Sequence, residues 1–207
     1  MIDHLATDLR TRRKIYEDLA TTFSFLFSLS SLDDKMILEK ALILVDFQND
    51  FIDGSLGTPE AQKIVPTVLE KLKTYPESCR FATKDTHFED YLSTQEGKNL
   101  PVLHCQKGTL GWEIRKEAQV GYAKVFEKTT FGSLELAQYI KEEAFDAVEL
   151  IGICTDICVV SNALLIKAYA PEVKISVDAS CCAGVSPEKH QAALETLRSC
   201  QVEVTNA

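Results

Sequence analysis

Three residues that stand far apart in the chain each follow an apolar, strand-like run, and their types suit nucleophilic chemistry. Asp46 follows Ala41-Leu42-Ile43-Leu44-Val45, Lys128 follows Ala123-Lys124-Val125-Phe126, and Cys158 follows Val148-Glu149-Leu150-Ile151-Gly152-Ile153 by a short polar step through Thr155-Asp156. A carboxylate beside a thiol can take its proton. A lysine ammonium can stabilise the resulting thiolate and hold the carboxylate in place. Taken singly, each residue has a plainer role: Asp46 as a loop or cap residue, Lys128 as a solvated charge, Cys158 as a small core hydrophobe. Their common position at strand ends argues for joint work. A second group, Asp85-Thr86-His87, Glu96 and His104, pairs carboxylates with imidazoles, which suits a borderline divalent ion such as zinc, manganese or iron(II). The Asp-x-His spacing is weak by itself, because an isolated histidine is more often a hydrogen-bonded structural residue. The middle ligand is open between Asp90 and Glu96.

These residues need elements that bring them to one edge, and the pattern supplies them. Apolar runs of strand length alternate with helical spacing: a strand at 41–45, a helix at 61–72, strands at 80–83 and 123–126, and a helix at 133–143 with Ser133 as its cap. After the run at 148–153 comes Cys158-Val159-Val160-Ser161-Asn162-Ala163-Leu164-Leu165, whose apolar residues fit a helix. Cys158 then falls at its first turn, where unpaired N–H groups and the helix dipole favour a thiolate. A strand at 173–177, a helix at 187–199 capped by Ser186 with Pro187 at its start, and a short strand at 201–204 complete the order. Strand–helix alternation predicts an α/β fold, a three-layer α-β-α arrangement with a mostly parallel, Rossmann-like central sheet. Ligands bind at the carboxyl edge of such sheets. The stretch 86–122 shows little periodicity, which inside a compact domain points to function. Cys181-Cys182, just past the strand at 173–177, would fall at the same edge and could line a pocket. His190 reads as a surface residue.

Three segments together resemble a known family: Asp46-Phe47-Gln48-Asn49-Asp50-Phe51, Lys128-Thr129-Thr130-Phe131-Gly132-Ser133, and Gly152-Ile153-Cys154-Thr155-Asp156-Ile157-Cys158-Val159. They are similar to the isochorismatase-like cysteine hydrolases, the nicotinamidase branch above all, and the likeness covers residues 38–205. It implies a catalytic set of Asp46, Lys128 and Cys158. It implies a cis peptide bond at Ile153–Cys154, with the backbone N–H groups of Cys154 and Cys158 as an oxyanion hole. It implies a metal on Asp85, His87 and His104, where Glu96 takes the place many members give to another histidine. Phe51 and Gln48 match substrate-binding positions. Pro101 stands where the family often has a tryptophan, so Trp112 is either the replacement wall or packing for its own loop. The activity implied is hydrolysis of nicotinamide to nicotinate and ammonia in NAD salvage, through a thioester and with a divalent cofactor, zinc foremost. Hydrolysis of another small amide or carbamoyl compound, and a non-catalytic binding member of the fold, are the alternatives. Dimers and tetramers are common in the family, so a homo-oligomer is expected by analogy alone.

Composition sets the outer limits. The chain has 207 residues, a net charge of −9 and a pI near 5.0, which argue against nucleic acid and anionic membrane surfaces as partners. Seven cysteines, an odd number without paired CxxC spacing, predict reduced thiols and a cytoplasmic setting. No apolar run is long enough to span a bilayer. Residues 1–35 mix basic and acidic side chains before a short greasy patch and match neither a secretory signal nor a transit peptide. They read as an N-terminal extension, an added arm or an over-extended start, ahead of a hydrolase domain at 36–207.

Overall fold

Ala41 to Val45 offers no polar face, so it must be covered on both sides. In the structure, a computed structural model describing residues 40–207, all five of these residues are fully buried. The proposed extension at 1–35 and the domain start near Met36 lie outside the described residues. The strand β1 (Lys40–Val45) sits inside a six-stranded sheet of order β3-β2-β1-β4-β5-β6, with β2 at Arg80–Asp85, β3 at Lys124–Lys128, β4 at Ala147–Ile153, β5 at Lys174–Ala183 and β6 at Glu203–Thr205. Every pair is parallel. The order reverses between β1 and β4, and this switch point opens a crevice at their carboxyl ends.

The two faces of β1 lead into two cores. Ala41, Ile43 and Val45 pack with residues of three helices, α4 (Leu134–Glu143), α5 (Val160–Tyr169) and α6 (Pro187–Ser199). Leu42 and Leu44 pack with α2 (Pro59–Lys73), which follows the single-turn α1 (Asn49–Ile52), and with the loop around Cys105 to Ala118. Three helices start behind a capping side chain. Thr58, Ser133 and Ser186 each accept a hydrogen bond from a backbone N–H of the first turn, and Pro59 and Pro187 open their helices. No helix among the described residues is long and apolar enough to cross a membrane.

The strand expected at 173–177 runs on to Ala183, so Cys181-Cys182 lie inside β5 instead of past its end, level with Gly152 near the carboxyl edge. Leu150 pairs with Val177 but Gly152 pairs with Cys182, so β5 carries an irregular insertion between these registers. Asp178 and Ser180 look like a strand end in sequence. They are tolerated inside one because the Asp178 carboxylate accepts from the Ser180 N–H and hydroxyl and ion-pairs with Lys71 at 2.6 Å. Cys181 and Cys182 then alternate to opposite faces, one in each core, and fill space there. The stretch 86–122 is mostly irregular, with one short helix, α3 (Gln95–Asn99), and a bridge between His87 and Gln106.

Candidate active site

The carboxyl ends of β1, β2, β3 and β4 deliver Asp46, Asp85, Lys128 and the turn bearing Cys158 to one place. The Lys128 Nζ lies 2.6 Å from Asp46 Oδ2, 3.2 Å from Asp85 Oδ1 and 3.6 Å from Cys158 Sγ. All four side chains are buried. Asp46 has a left-handed backbone (φ 45°), and its N–H donates to the Thr83 hydroxyl, which in turn donates to Asp46 Oδ1 at 2.6 Å. Asp46 Oδ2 makes no aligned hydrogen bond despite the nearby ammonium, which leaves a lone pair for another proton. Lys128 thus bridges Asp46 and Cys158.

Electrostatics follow from burial. Desolvation raises the Asp46 carboxyl above its usual range, with Asp85 adding to the effect, so Asp46 is a stronger base than an exposed carboxylate. Burial disfavours the Lys128 cation, but Asp46, Cys158 and Asp85 outweigh it and hold the ammonium firmly protonated. Burial also pushes the Cys158 thiol well up, more than Lys128 lowers it. The resting sulfur is therefore a thiol, against the expectation that a helix start would favour the thiolate. The expected position itself holds: Cys158 lies in a π-helical turn, Thr155–Val159, that runs directly into α5.

Four residues next to this group form a compact donor set. Ligand atoms of Asp85, His87, Glu96 and His104 all lie within 4.8 Å of one another. Asp85 Oδ2 stands 2.8 Å from His87 Nε2 and 3.5 Å from His104 Nε2, and Glu96 Oε1 stands 3.7 and 3.9 Å from the same two nitrogens. The His87 Nε2 is buried and makes no aligned hydrogen bond, an orphan that a cation would satisfy. The His104 Nδ1 lies 2.8 Å from the Val102 carbonyl, which can only accept. Nδ1 therefore carries a proton, and Nε2 is the ring nitrogen that faces the cluster. Two imidazoles and two carboxylates fit a borderline divalent cation. Burial alone would raise Asp85, but the two histidines and then Lys128 hold it below the ordinary carboxylate range. Its two oxygens face different groups, one toward Lys128 and one toward the histidines.

The remaining expectations divide. The peptide bond Ile153–Cys154 is cis. Phe51 is buried with its ring 5.7 Å from that of His104, so it sits beside the donor set. Gln48 is not free to touch a substrate. It is fully buried, its Nε2 donates to the carbonyls of Asp85 and Trp112, and its Oε1 accepts from the Asp85 N–H. Its role is to fix the end of β2. Trp112 packs its own loop, with its Nε1 donating to the Thr86 hydroxyl.

Several supporting residues escaped the sequence reading. Asp50 accepts from the Cys105 N–H at 2.7 Å and so anchors the loop that carries His104. Asn162 accepts from the Ser133 N–H and donates to the carbonyls of Cys158 and Phe131. Thr155, fully buried, lies 2.8 Å from Nδ1 of His190, and Asp156 accepts from the Val185 N–H. His190 is thus partly buried and clasps the turn bearing Cys158 to α6, contrary to the surface position expected for it. Gly152, in the strand that leads to this turn, is set by backbone geometry. With φ at 120°, and a Cβ that would stand 2.1 Å from the Val45 carbonyl oxygen, only glycine fits there.

Known proteins share this arrangement of chain. A model of the isochorismatase domain matches residues 40–207. A nicotinamidase/pyrazinamidase of Mycobacterium tuberculosis is 29% identical over 185 residues, 80% of this chain and 97% of that protein. Among solved structures, a pyrazinamidase of Pyrococcus horikoshii in complex with zinc is 27% identical with a TM-score of 0.68, covering 82% of this chain and 99% of its own. A pyrazinamidase/nicotinamidase of Streptococcus mutans is 30% identical with the same TM-score of 0.68, covering 80% and 99%.

Proposed function

The chain belongs to the isochorismatase family, and from that premise we propose that it is a cysteine-dependent amidohydrolase converting nicotinamide and water to nicotinate and ammonia. The observation that carries the reading is the convergence of Asp46, Lys128 and Cys158 beside a four-residue donor set that shares Asp85 with them. The nicotinamidase and pyrazinamidase relatives supply the substrate.

The site's own groups suggest the steps. As Cys158 Sγ bonds to the carboxamide carbon, its proton passes to Asp46, whose raised basicity suits the transfer. Lys128 stays charged throughout and holds Asp46 in line. The carbonyl oxygen, now anionic, accepts from the backbone N–H groups of Cys154 and Cys158; losing one such donor typically costs ~10²–10³ in rate. Asp46 returns the proton to the amide nitrogen, the C–N bond breaks and ammonia leaves a thioester on Cys158. Water then gives a proton to Asp46 and its hydroxyl to the acyl carbon. The C–S bond breaks, Asp46 returns its proton to the sulfur to restore the thiol, and the acid departs as nicotinate, its carboxyl proton passing to solvent.

Asp85, His87, Glu96 and His104 would hold a divalent ion, zinc being the ion of the Pyrococcus horikoshii relative. Such an ion would supply a Lewis-acid anchor for the pyridine nitrogen. Phe51, beside His104, would flank the ring and help aim the carboxamide at Cys158. The test is ammonia release from nicotinamide by the purified full chain with zinc, manganese or iron(II). Turnover that disappears in Cys158→Ala is expected, and no turnover with any of the three metals overturns the reading.

A further inference from the structure

A cavity of about 670 Å³ adjoins the donor set. His87 and Glu96 line it on one side, and Ile157, next to Cys158, lines it on another. Phe88, Leu100 and Phe131 also line it, and they expose 50%, 37% and 47% of their surface. Among the lining residues the acids are Asp90 and Glu96, and there is no lysine or arginine.

This space is large for a bare pyridine carboxamide. Even at roughly 30 Å³ per non-hydrogen atom, the share a molecule takes in liquid water, its nine such atoms fill about 270 Å³. More than half of the cavity is left over, and Phe88, Leu100, Phe131 and Ile157 share its wall with threonines and the amides of Gln95 and Asn99. Pockets of this size commonly enclose drug-sized ligands with an apolar body and a few polar anchors. A negatively charged extension would meet two acids and no counter-charge in the lining. We infer that the substrate class of this site, on the amidase reading above, is a primary aromatic amide bearing an uncharged apolar extension of about one further ring, seated among Phe88, Leu100 and Phe131.

The test is a kcat/KM series by ammonia release, using the full chain with zinc. The substrates are nicotinamide and nicotinamides carrying a phenyl or a carboxyphenyl group at ring positions 4, 5 or 6. At least one phenyl compound is expected to exceed nicotinamide by about tenfold or more, with its carboxyphenyl counterpart poorer. Phe131→Ala and, independently, Leu100→Ala should each reduce the ratio of phenyl compound to nicotinamide several-fold. Turnover of nicotinamide with every phenyl compound slower overturns this inference and leaves the amidase reading intact. Turnover of none of the compounds removes both. A homodimer that Phe131→Ala dissociates, with the substrate ratios unchanged, would mean that a second copy covers these side chains, and would also overturn it.

Discussion

On the proposed reading Asp46 is the proton acceptor, and its surroundings suit that role: burial raises its basicity, Lys128 keeps it oriented and Thr83 occupies its other oxygen. Replacing it with asparagine preserves the shape and removes the proton acceptor. Asp46→Asn and Cys158→Ala are each expected to lower kcat by about 10⁴-fold or more, and the double variant by little beyond the worse single, since the two act as one unit. Steady-state ammonia assays on the three proteins check this. His87 offers a separate handle. His87→Ala should cut the bound zinc measured by elemental analysis after dialysis, and nicotinamide turnover should fall with it. These residues were legible in the sequence because acid, amine and thiol each ended an apolar run, and because aspartate and histidine sat two apart. Gln48 was misread for the converse reason. Its motif position suggested a ligand contact, but an amide with three backbone partners 37 or more positions away cannot be recognised before the chain is folded.

The elements were foreseen where local chemistry decides them. Ser133 and Ser186 cap their helices as their types suggest, and the runs in β1 and β4 are too apolar to lie anywhere but inside; the helix expected at 61–72 starts two residues earlier, behind a Thr58 cap that was not foreseen. The full extent of β5 was hidden, because Asp178 and Ser180 are satisfied by partners such as Lys71 that no local pattern reveals. Two tests belong at this scale. Gly152→Ala would press a methyl group against the Val45 carbonyl where β1 and β4 pair, at a backbone angle that other residues rarely adopt. A loss of several kcal/mol in urea unfolding is expected, or failure to accumulate as soluble protein. Asn162→Ala strands the Ser133 N–H and the Cys158 carbonyl, so a loss of about 1–3 kcal/mol is expected in the same measurement.

For the molecule as a whole, the acid response can be read from the far side of the sheet. Burial pushes Asp178 up, but Lys71, Ser180 and Asn206 more than offset this and hold its carboxyl below the ordinary value of 3.8. A depressed folded-state pKa makes Asp178 a source of stability that is fully present above the unfolded value. That stability is lost as pH falls through the folded one. Urea midpoints should therefore drop as pH falls below about 4, and Asp178→Asn should flatten the drop over that window. An equal slope in both proteins would remove Asp178 as a cause. Strand–helix alternation led to the expectation of a mostly parallel sheet with ligands at its carboxyl edge, whereas this buried charge cluster joins α2, β4 and β5 and could not be foreseen from any one of them.

Asp85 divides its two oxygens between an ammonium and a pair of imidazoles, so the nucleophile's surroundings and the donor set are not separable modules. Thermodynamic reciprocity then binds them. By whatever free energy loss of the Lys128 side chain alters the retention of an ion by the folded protein, that ion must alter the folding-stability difference between the two proteins by the same amount. One carboxylate thus turns two adjacent chemistries into a single cooperative assembly, in which neither half can drift in affinity without the other registering it.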